Sequence, residues 1–434
     1  MKKYFYLLKF VLLAPAALLI SAAGAKKPVE HPIAKGTFIQ NSLVAGWDDV
    51  TWQKELGALK EVGMEYLIIA PVAEAGGSGI YQAVYPSKLA GITSKSGSDI
   101  VENCLRNAKK AGFKVFIGLN MHEKWWTNFS HEWLEKQMLI GNDVATEVYK
   151  NYGPRYAGTF YGWYWVWEID NLRFNTPAQM DMLTHALNVN LDHLHMLSPG
   201  MPFMFCPFMN YRVGTAAQYR QFWEYVFAQT HLNPGDIFAP QDCIGAGGLE
   251  MDQLDDWFAN LAQAVKTKPG LLFWSDAETF EQRFWTSAPL NRFVEQLRIA
   301  EPYVSTIISF AYSHYYSPVT VRKGFHEAYK AYVDTGKLPG PSAVAPGKNL
   351  EIGWNKDGKV TLKWQASKDT SRIAGYYLFR NDILIGNIQG RRKGLPQTAL
   401  DTTTHQKGLY AYSLKPYDFS GNIYPGALGS IEKK

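Results

Sequence analysis

Between residues 35 and 335 the chain alternates apolar runs of strand length with longer stretches whose apolar positions recur every three to four residues. The runs cover 36–42, 65–74, 114–121, 160–170, 201–210, 236–243, 270–278 and 304–313. Helix-patterned segments fall near 50–62, 98–111, 131–151, 177–197, 215–230, 250–266, 291–300 and 318–334. Helix boundaries carry matching chemistry. Thr176-Pro177-Ala178-Gln179 combines a cap, a proline at the first helical position and a reciprocating glutamine, and Gly112 and Gly63 stop two helices before the next strand. Strand-then-helix repetition over this length predicts an α/β fold of the (β/α)8 TIM-barrel type, spanning 30–338. A doubly wound sheet is the competing architecture. It would carry a glycine-rich phosphate loop after its first strand, where this chain has Gln40-Asn41-Ser42-Leu43.

Past residue 338 the pattern changes. Pro339, Gly340, Pro341, Pro346 and Gly347 punctuate a linker at 339–347. From 348 to 434 short alternating strands follow, at 350–354, 360–364, 375–380, 383–388, 399–401, 408–416 and 423–428, with Asn355-Lys356-Asp357-Gly358 as a hairpin turn. This number and spacing of strands predict a small β-sandwich.

Composition removes several function classes. Lys plus Arg is 44 and Asp plus Glu is 39, a net charge of +5. Lys2, Lys3 and Lys9 sit in a basic and then apolar segment closed by Ala23-Gly24-Ala25, which reads as a signal peptide at 1–25. Without those three lysines the balance is 5 − 3 = +2. That is no electrostatic footprint for nucleic acid, and no later stretch is long and apolar enough for a transmembrane segment. The expected product is an exported (periplasmic or extracellular) monomer. Its three cysteines, Cys104, Cys206 and Cys243, are too few for a disulfide framework. A bridge between Cys206 and Cys243 is one option, and buried thiols are the plainer one. Aromatic residues make up 14% of the chain, which suits both a large core and a site that stacks against sugar rings.

In such a barrel, reacting groups project from the carboxyl ends of strands. The fourth run ends Trp165-Val166-Trp167-Glu168-Ile169-Asp170, and the seventh ends Trp274-Ser275-Asp276-Ala277-Glu278. Side-chain alternation puts Glu168 and Asp170 on one face with Tyr164, and Asp276 with Glu278 on one face of the seventh strand. Trp163, Trp165 and Trp167 then point toward the helices. Paired carboxylates across a barrel mouth are what glycosidic bond cleavage needs. Further candidates for substrate contact are Glu74 after strand two, Asn120 and His122 after strand three, Trp125 and Trp126 as stacking platforms, Asp242 before the loop Gly245-Ala246-Gly247-Gly248, and Tyr312 and His314 after strand eight.

The layout resembles the large clan of retaining TIM-barrel glycoside hydrolases. The runs Gly36-Thr37-Phe38-Ile39-Gln40, Gln241-Asp242 and Trp274 to Phe280 are similar to a family of secreted bacterial glycosidase-like barrels. The resemblance implies Glu168 as acid/base and Glu278 as nucleophile of a double displacement on a poly- or oligosaccharide. Trp167 stands where the clan carries Asn before its acid, which leaves Asp170 as a stand-in. The tail, with Lys359 to Trp364, Gly375 to Arg380 and Tyr410 to Asp418, resembles fibronectin type III modules, which implies a spacer, docking or sugar-binding role. No cofactor and no metal is implied. The alternatives are a non-catalytic carbohydrate-binding barrel and a metal-assisted hydrolase with His122 among its ligands.

Overall fold

A computed structural model of the protein describes residues 31–95, 97–127, 129–341, 348–365, 370–390, 395–404 and 406–434. The expected signal peptide, and residues 342–347 of the expected linker, lie outside the described residues.

Strands β1 (Gly36–Gln40), β2 (Tyr66–Ala70), β3 (Lys114–Gly118), β4 (Phe160–Trp165), β5 (Phe203–Phe205), β6 (Ile237–Phe238), β7 (Leu272–Glu278) and β8 (Thr306–Phe310) pair in parallel and in chain order, and β8 closes on β1. Around them lie α1 (Asp49–Glu61), α2 (Ile100–Ala111), α3 (His131–Tyr152), α4 (Pro177–Leu197), α5 (Ala216–Gln229), α6 (Leu254–Lys266), α7 (Leu290–Ala300) and α8 (Gly324–Thr335). This is a (β/α)8 barrel. Asp48, Asp99 and Ser130 cap the starts of α1, α2 and α3 by accepting backbone N–H bonds. Thr176 with Gln179, and Thr215 with Gln218, form reciprocal capping boxes on α4 and α5. Gly112 ends α2 in the left-handed region at φ 74°, which an L side chain adopts only with strain.

The strands are shorter than the apolar runs that announced them. Residues 166–170 and 206–210 leave the ladder and form the rim. The expected second strand is interrupted at Pro71, which has no N–H to donate. Glu74 consequently sits on a separate strand, Ala73–Ala75, which pairs with Tyr81–Ala83 and with Asn120–His122 above the barrel.

Alternation sorts the aromatic residues. Trp163, Trp165 and Trp167 face the helices and are at most 1% exposed; two of their indoles donate to Ser198 Oγ (2.8 Å) and Asn190 Oδ1 (2.9 Å). Phe38, Ile68, Phe116, Met204 and Trp274 fill the barrel interior. A bulge opposite Val115 and Phe116 shifts the parity of β4, so Tyr161 joins that interior layer along with Tyr164. Cys104, Cys206 and Cys243 are buried free thiols.

The C-terminal part is all-β. Strands β9 (Lys348–Trp354), β10 (Val360–Gln365) and β13 (Thr398–Asp401) form one sheet in the order β9-β10-β13. The other has the order β12-β11-β14-β15, from β11 (Ile373–Arg380), β12 (Ile383–Gln389), β14 (Gly408–Asp418) and β15 (Ala427–Lys433). Val360, Leu362 and Trp364 alternate along β10 and meet Tyr376 and Leu378 of β11 and Tyr410, Tyr412 and Leu414 of β14 in a core between the sheets. The last strand lies later than expected, because residues 423–426 form only an isolated bridge between Ile423 and Tyr417 before β15 begins.

Candidate active site

β7 sets the centre of the site. Its inward positions are Trp274, Asp276 and Glu278, two apart, with Trp274 in the interior core and the two acids above it. From the other side, the segment after β4 brings in Glu168. Glu168, Asp276 and Glu278 line one cavity of about 460 Å³ together with Tyr164, Gln241 and Ala246. Glu278 and Asp276 are each 1% exposed, whereas Glu168 is half-buried and borders the cavity more openly.

Each acid is held differently. Gln241 Nε2 donates to Glu168 Oε2 at 3.1 Å, while the buried Trp125 indole (2.9 Å) and Arg173 (3.3 Å) donate to the Glu168 carbonyl and fix its backbone. Glu278 Oε2 accepts the Ala246 N–H at 2.7 Å, and its Oε1 has no hydrogen-bond partner. The glycine loop makes this possible. A Cβ on Gly245 would stand 2.2 Å from the Phe280 carbonyl oxygen, so the loop could not approach β7 with any other residue there. Behind Glu278, Asp242 accepts the Glu278 N–H (3.3 Å), the Ile244 N–H (3.2 Å) and the Gln296 amide. Asp276 Oδ1 has no partner.

Burial dominates the electrostatics. It pushes Asp276 and Glu278 well above the usual carboxylate range, with neighbouring carboxylates adding to the effect. For Glu278 the Ala246 amide and Arg292 pull the other way. Burial also raises Glu168, against the Gln241 hydrogen bond. Asp242 is raised to about 6, chiefly by burial, and Glu55, on the buried face of α1 and bonded to Ser317, to about 7. The linkage sign follows. These carboxyls bind protons more tightly folded than unfolded, so their stabilising contribution is complete below about pH 4 and is lost as pH rises through 6 to 7. The melting temperature should therefore be higher at pH 5 than at pH 8. Calorimetry checks this, and an equal or higher value at pH 8 contradicts it.

Several expected contacts lie elsewhere. Asp170 does not face the cavity. It accepts the Leu172 and Arg173 N–H groups as a turn cap and pairs with the Arg173 guanidinium at 2.7 Å. Trp125 is fully buried, whereas Trp126 is 54% exposed and borders the cavity, so only the second tryptophan offers a platform. Asn120 is fully buried and donates to Tyr81 Oη (3.1 Å) and the Gln137 carbonyl (3.0 Å). His122 borders a separate cavity with Tyr81 and Trp133, and does not join the carboxyls. Asp242 is fully buried and reaches the site only through Glu278. Tyr312 is buried against His326, because the chain after β8 turns into a short helix; His314, on that same helix, borders the cavity. Glu74 lines a larger opening of about 590 Å³ on the far side of Trp126, with Glu123 and Lys95. Those three residues are exposed, and the buried carboxyls belong to the smaller cavity.

Gln241 was not among the expected contacts, although it stands beside Asp242 just past β6, where barrel sites form. Nor were Gln282 and Trp285, which lie in an aperiodic loop. Among the described residues, His131, Glu135 and His185 bring metal-ligating atoms within 4.8 Å of one another; none of them lines the cavity.

A family model described as a domain of unknown function, DUF4434, matches residues 34–322, which include all eight barrel strands. The chain belongs to this family. The DUF4434 barrel is similar to a crystal structure described as a putative α-L-fucosidase from Bacteroides thetaiotaomicron, at 21% identity and a TM-score of 0.58, covering 74% of this chain and 99% of that one. At that identity the likeness shows the fold. Among curated proteins, exoglucanase B of Cellulomonas fimi is 23% identical over 201 residues, 46% of this chain and 17% of that protein. An α-amylase of Niallia circulans is 32% identical over 91 residues, 21% of this chain and 6% of the relative. The DUF4434 chain thus spans less than a fifth of the length of these curated relatives. No helix among the described residues is long and apolar enough to cross a membrane.

Proposed function

We infer that the protein is an exported glycoside hydrolase that cleaves a poly- or oligosaccharide by double displacement, with Glu168 as acid/base and Glu278 as nucleophile. The observation that carries this is their convergence on one cavity from β7 and from the rim after β4, flanked by the exposed Trp126 and Trp285. In the first step a Glu278 carboxylate oxygen bonds to the anomeric carbon. The glycosidic C–O bond breaks as Glu168 gives its proton to the leaving oxygen. In the second step water loses a proton to Glu168 and adds to the anomeric carbon, and the bond to Glu278 breaks.

The surrounding groups fit these roles. Burial raises the pKa of Glu168, the direction a general acid requires. Closely spaced carboxyls do not all ionise. Asp276, whose buried Oδ1 has no donor, is the worst placed to carry charge. Glu278, with the Ala246 amide on Oε2, is better placed to carry the charge that attack requires. The names of the glucan-active relatives and of the fucosidase-like structure lie in the same reaction class.

The test is release of reducing ends from a panel of cellulose, mannan, xylan, chitin and starch. Hydrolysis of at least one that persists in EDTA supports the reading. Binding without release would turn it into a binding protein, and loss of release in EDTA would favour a metal-assisted route.

A further inference from the structure

The loop between β7 and α7 folds into a small hairpin, Phe280–Glu281 against Thr286–Ser287. It carries Phe280, Gln282 and Trp285 to the edge of the carboxyl cavity. Trp285 is 59% exposed, has a backbone φ of 50° and lies parallel to Phe280, with ring centroids 5.8 Å apart and 7° between planes. A large apolar side chain held open to solvent in a left-handed backbone conformation needs support.

That support comes from the β-module. Gln389 on β12 accepts the Ser287 N–H at 2.9 Å and donates to the Ser287 carbonyl at 2.7 Å. Asn387 donates to Thr286 Oγ1 at 3.0 Å, and Arg283 of the hairpin donates to the Leu384 carbonyl. Both amides are set from behind by the buried Tyr417 hydroxyl, which donates to Asn387 Oδ1 and accepts from Gln389 Nε2, each at 2.6 Å. The module is itself packed on the barrel. Phe419 meets Phe325 edge-on at 4.8 Å, and Leu290 and Asn291 at the start of α7 donate to the Phe419 and Ser420 carbonyls at 3.1 Å. A Cβ on Gly324 would stand 2.2 Å from the Phe419 ring, so the barrel surface is cut to receive it. A tethered spacer would need none of this.

A second cavity, of about 320 Å³, opens where hairpin and module meet. It shares Trp285, His314 and Tyr315 with the carboxyl cavity and is bounded on the far side by Asn387 and Gln389. The two cavities therefore share a wall of three residues. An aromatic face beside side-chain amides suits a sugar ring, whose C–H faces stack and whose hydroxyls need donors and acceptors. Asn387 uses one N–H on Thr286 and one lone pair on Tyr417, which leaves half its capacity for a ligand; both N–H groups of Gln389 are already committed.

We propose that the β-module is a wall of the substrate cleft, and that the cavity between Trp285 and Asn387 is a distal sugar subsite, so the substrate is a chain long enough to reach it from the carboxyls. Gln389 is then a positioning residue for the hairpin, and Asn387 a direct contact. This rests on the glycosidase reading for the chemistry, but not for the binding.

The experiment uses the full chain and size ladders of two to six sugars prepared from cellulose, mannan, chitin and starch. Binding of each ladder is measured by calorimetry, and kcat/KM for any that is cleaved. Wild type should gain affinity or kcat/KM with length. Asn387→Ala should cut the long-to-short ratio by about five- to tenfold, the worth of one hydrogen bond. Gln389→Ala serves as the second variant, with circular dichroism and melting temperature confirming that each is folded. A ratio that does not depend on length, or that both folded variants leave unchanged, overturns the subsite while leaving a hydrolase standing. Length-dependent binding that Asn387→Ala weakens, with no cleavage, upholds the subsite and removes the hydrolase.

Discussion

Replacing Glu278 with Gln is expected to lower turnover by at least about 10⁴-fold while substrate binding survives, a loss of roughly 5.5 kcal/mol of transition-state stabilisation. The substitution keeps size and shape. The amide oxygen can still accept the Ala246 N–H that Oε2 accepts now, so the glycine loop need not move. What disappears is the nucleophile, because an amide cannot form the glycosyl ester. Stability should not fall, since Glu278 is a buried acid whose ionisation is opposed by burial and by Asp242. Steady-state rates with calorimetric binding and a melting curve separate these effects. A variant that keeps more than a tenth of wild-type turnover would remove Glu278 from the chemistry.

The second large effect is at Glu168. Glu168→Gln should cost about 10² to 10⁴-fold on natural glycosides, which need a proton on the leaving oxygen. On an aryl glycoside with an acidic phenol the first step needs little help, so the loss should shift to the second step and external azide should restore turnover. The pH profile gives an independent reading. Glu168 must be protonated for bond cleavage, and burial raises its pKa, so wild-type kcat/KM falls on the alkaline side as that proton is lost. In the Gln variant that alkaline limb should vanish for the activated substrate. A limb that persists unchanged would assign the acid elsewhere. Asp170, the stand-in from the sequence, is bound to Arg173 and to its own turn, so Asp170→Asn should leave the limb in place.

The barrel was legible because burial on both sides of a parallel strand writes apolar runs of recognisable length, and because capping boxes such as Thr176 with Gln179 mark where helices start. The inward pair on β7 was legible for the same reason, since a period of two needs only the strand. Alternation failed where the ladder ends. Past Trp165 the regular ladder ends, and the Asp170 carboxylate is taken up by the N–H groups of Leu172 and Arg173, the local competition that Asp side chains favour. Tyr312 was misread in the same way, because the segment after β8 coils into a helix and sends neighbouring residues in different directions. Trp126 ends a single 3₁₀ turn and Trp285 sits in a hairpin turn, neither long enough to show a period, and they are supported by Arg173 over one and the β-module beside the other. Neither support is adjacent in sequence. The hold of Asn387 and Gln389 on a hairpin about a hundred residues earlier is purely tertiary and leaves no local pattern.

Attack by Glu278 on the sugar would leave a covalent mark that can be located. The most direct measurement is peptide mass mapping after the protein is trapped with a 2-deoxy-2-fluoro glycosyl fluoride of the sugar it releases. One fluorosugar per chain is expected, esterified to Glu278 and absent from Glu278→Gln. A label on any other residue, or steady cleavage of natural substrate with no label under those conditions, would contradict attack by Glu278.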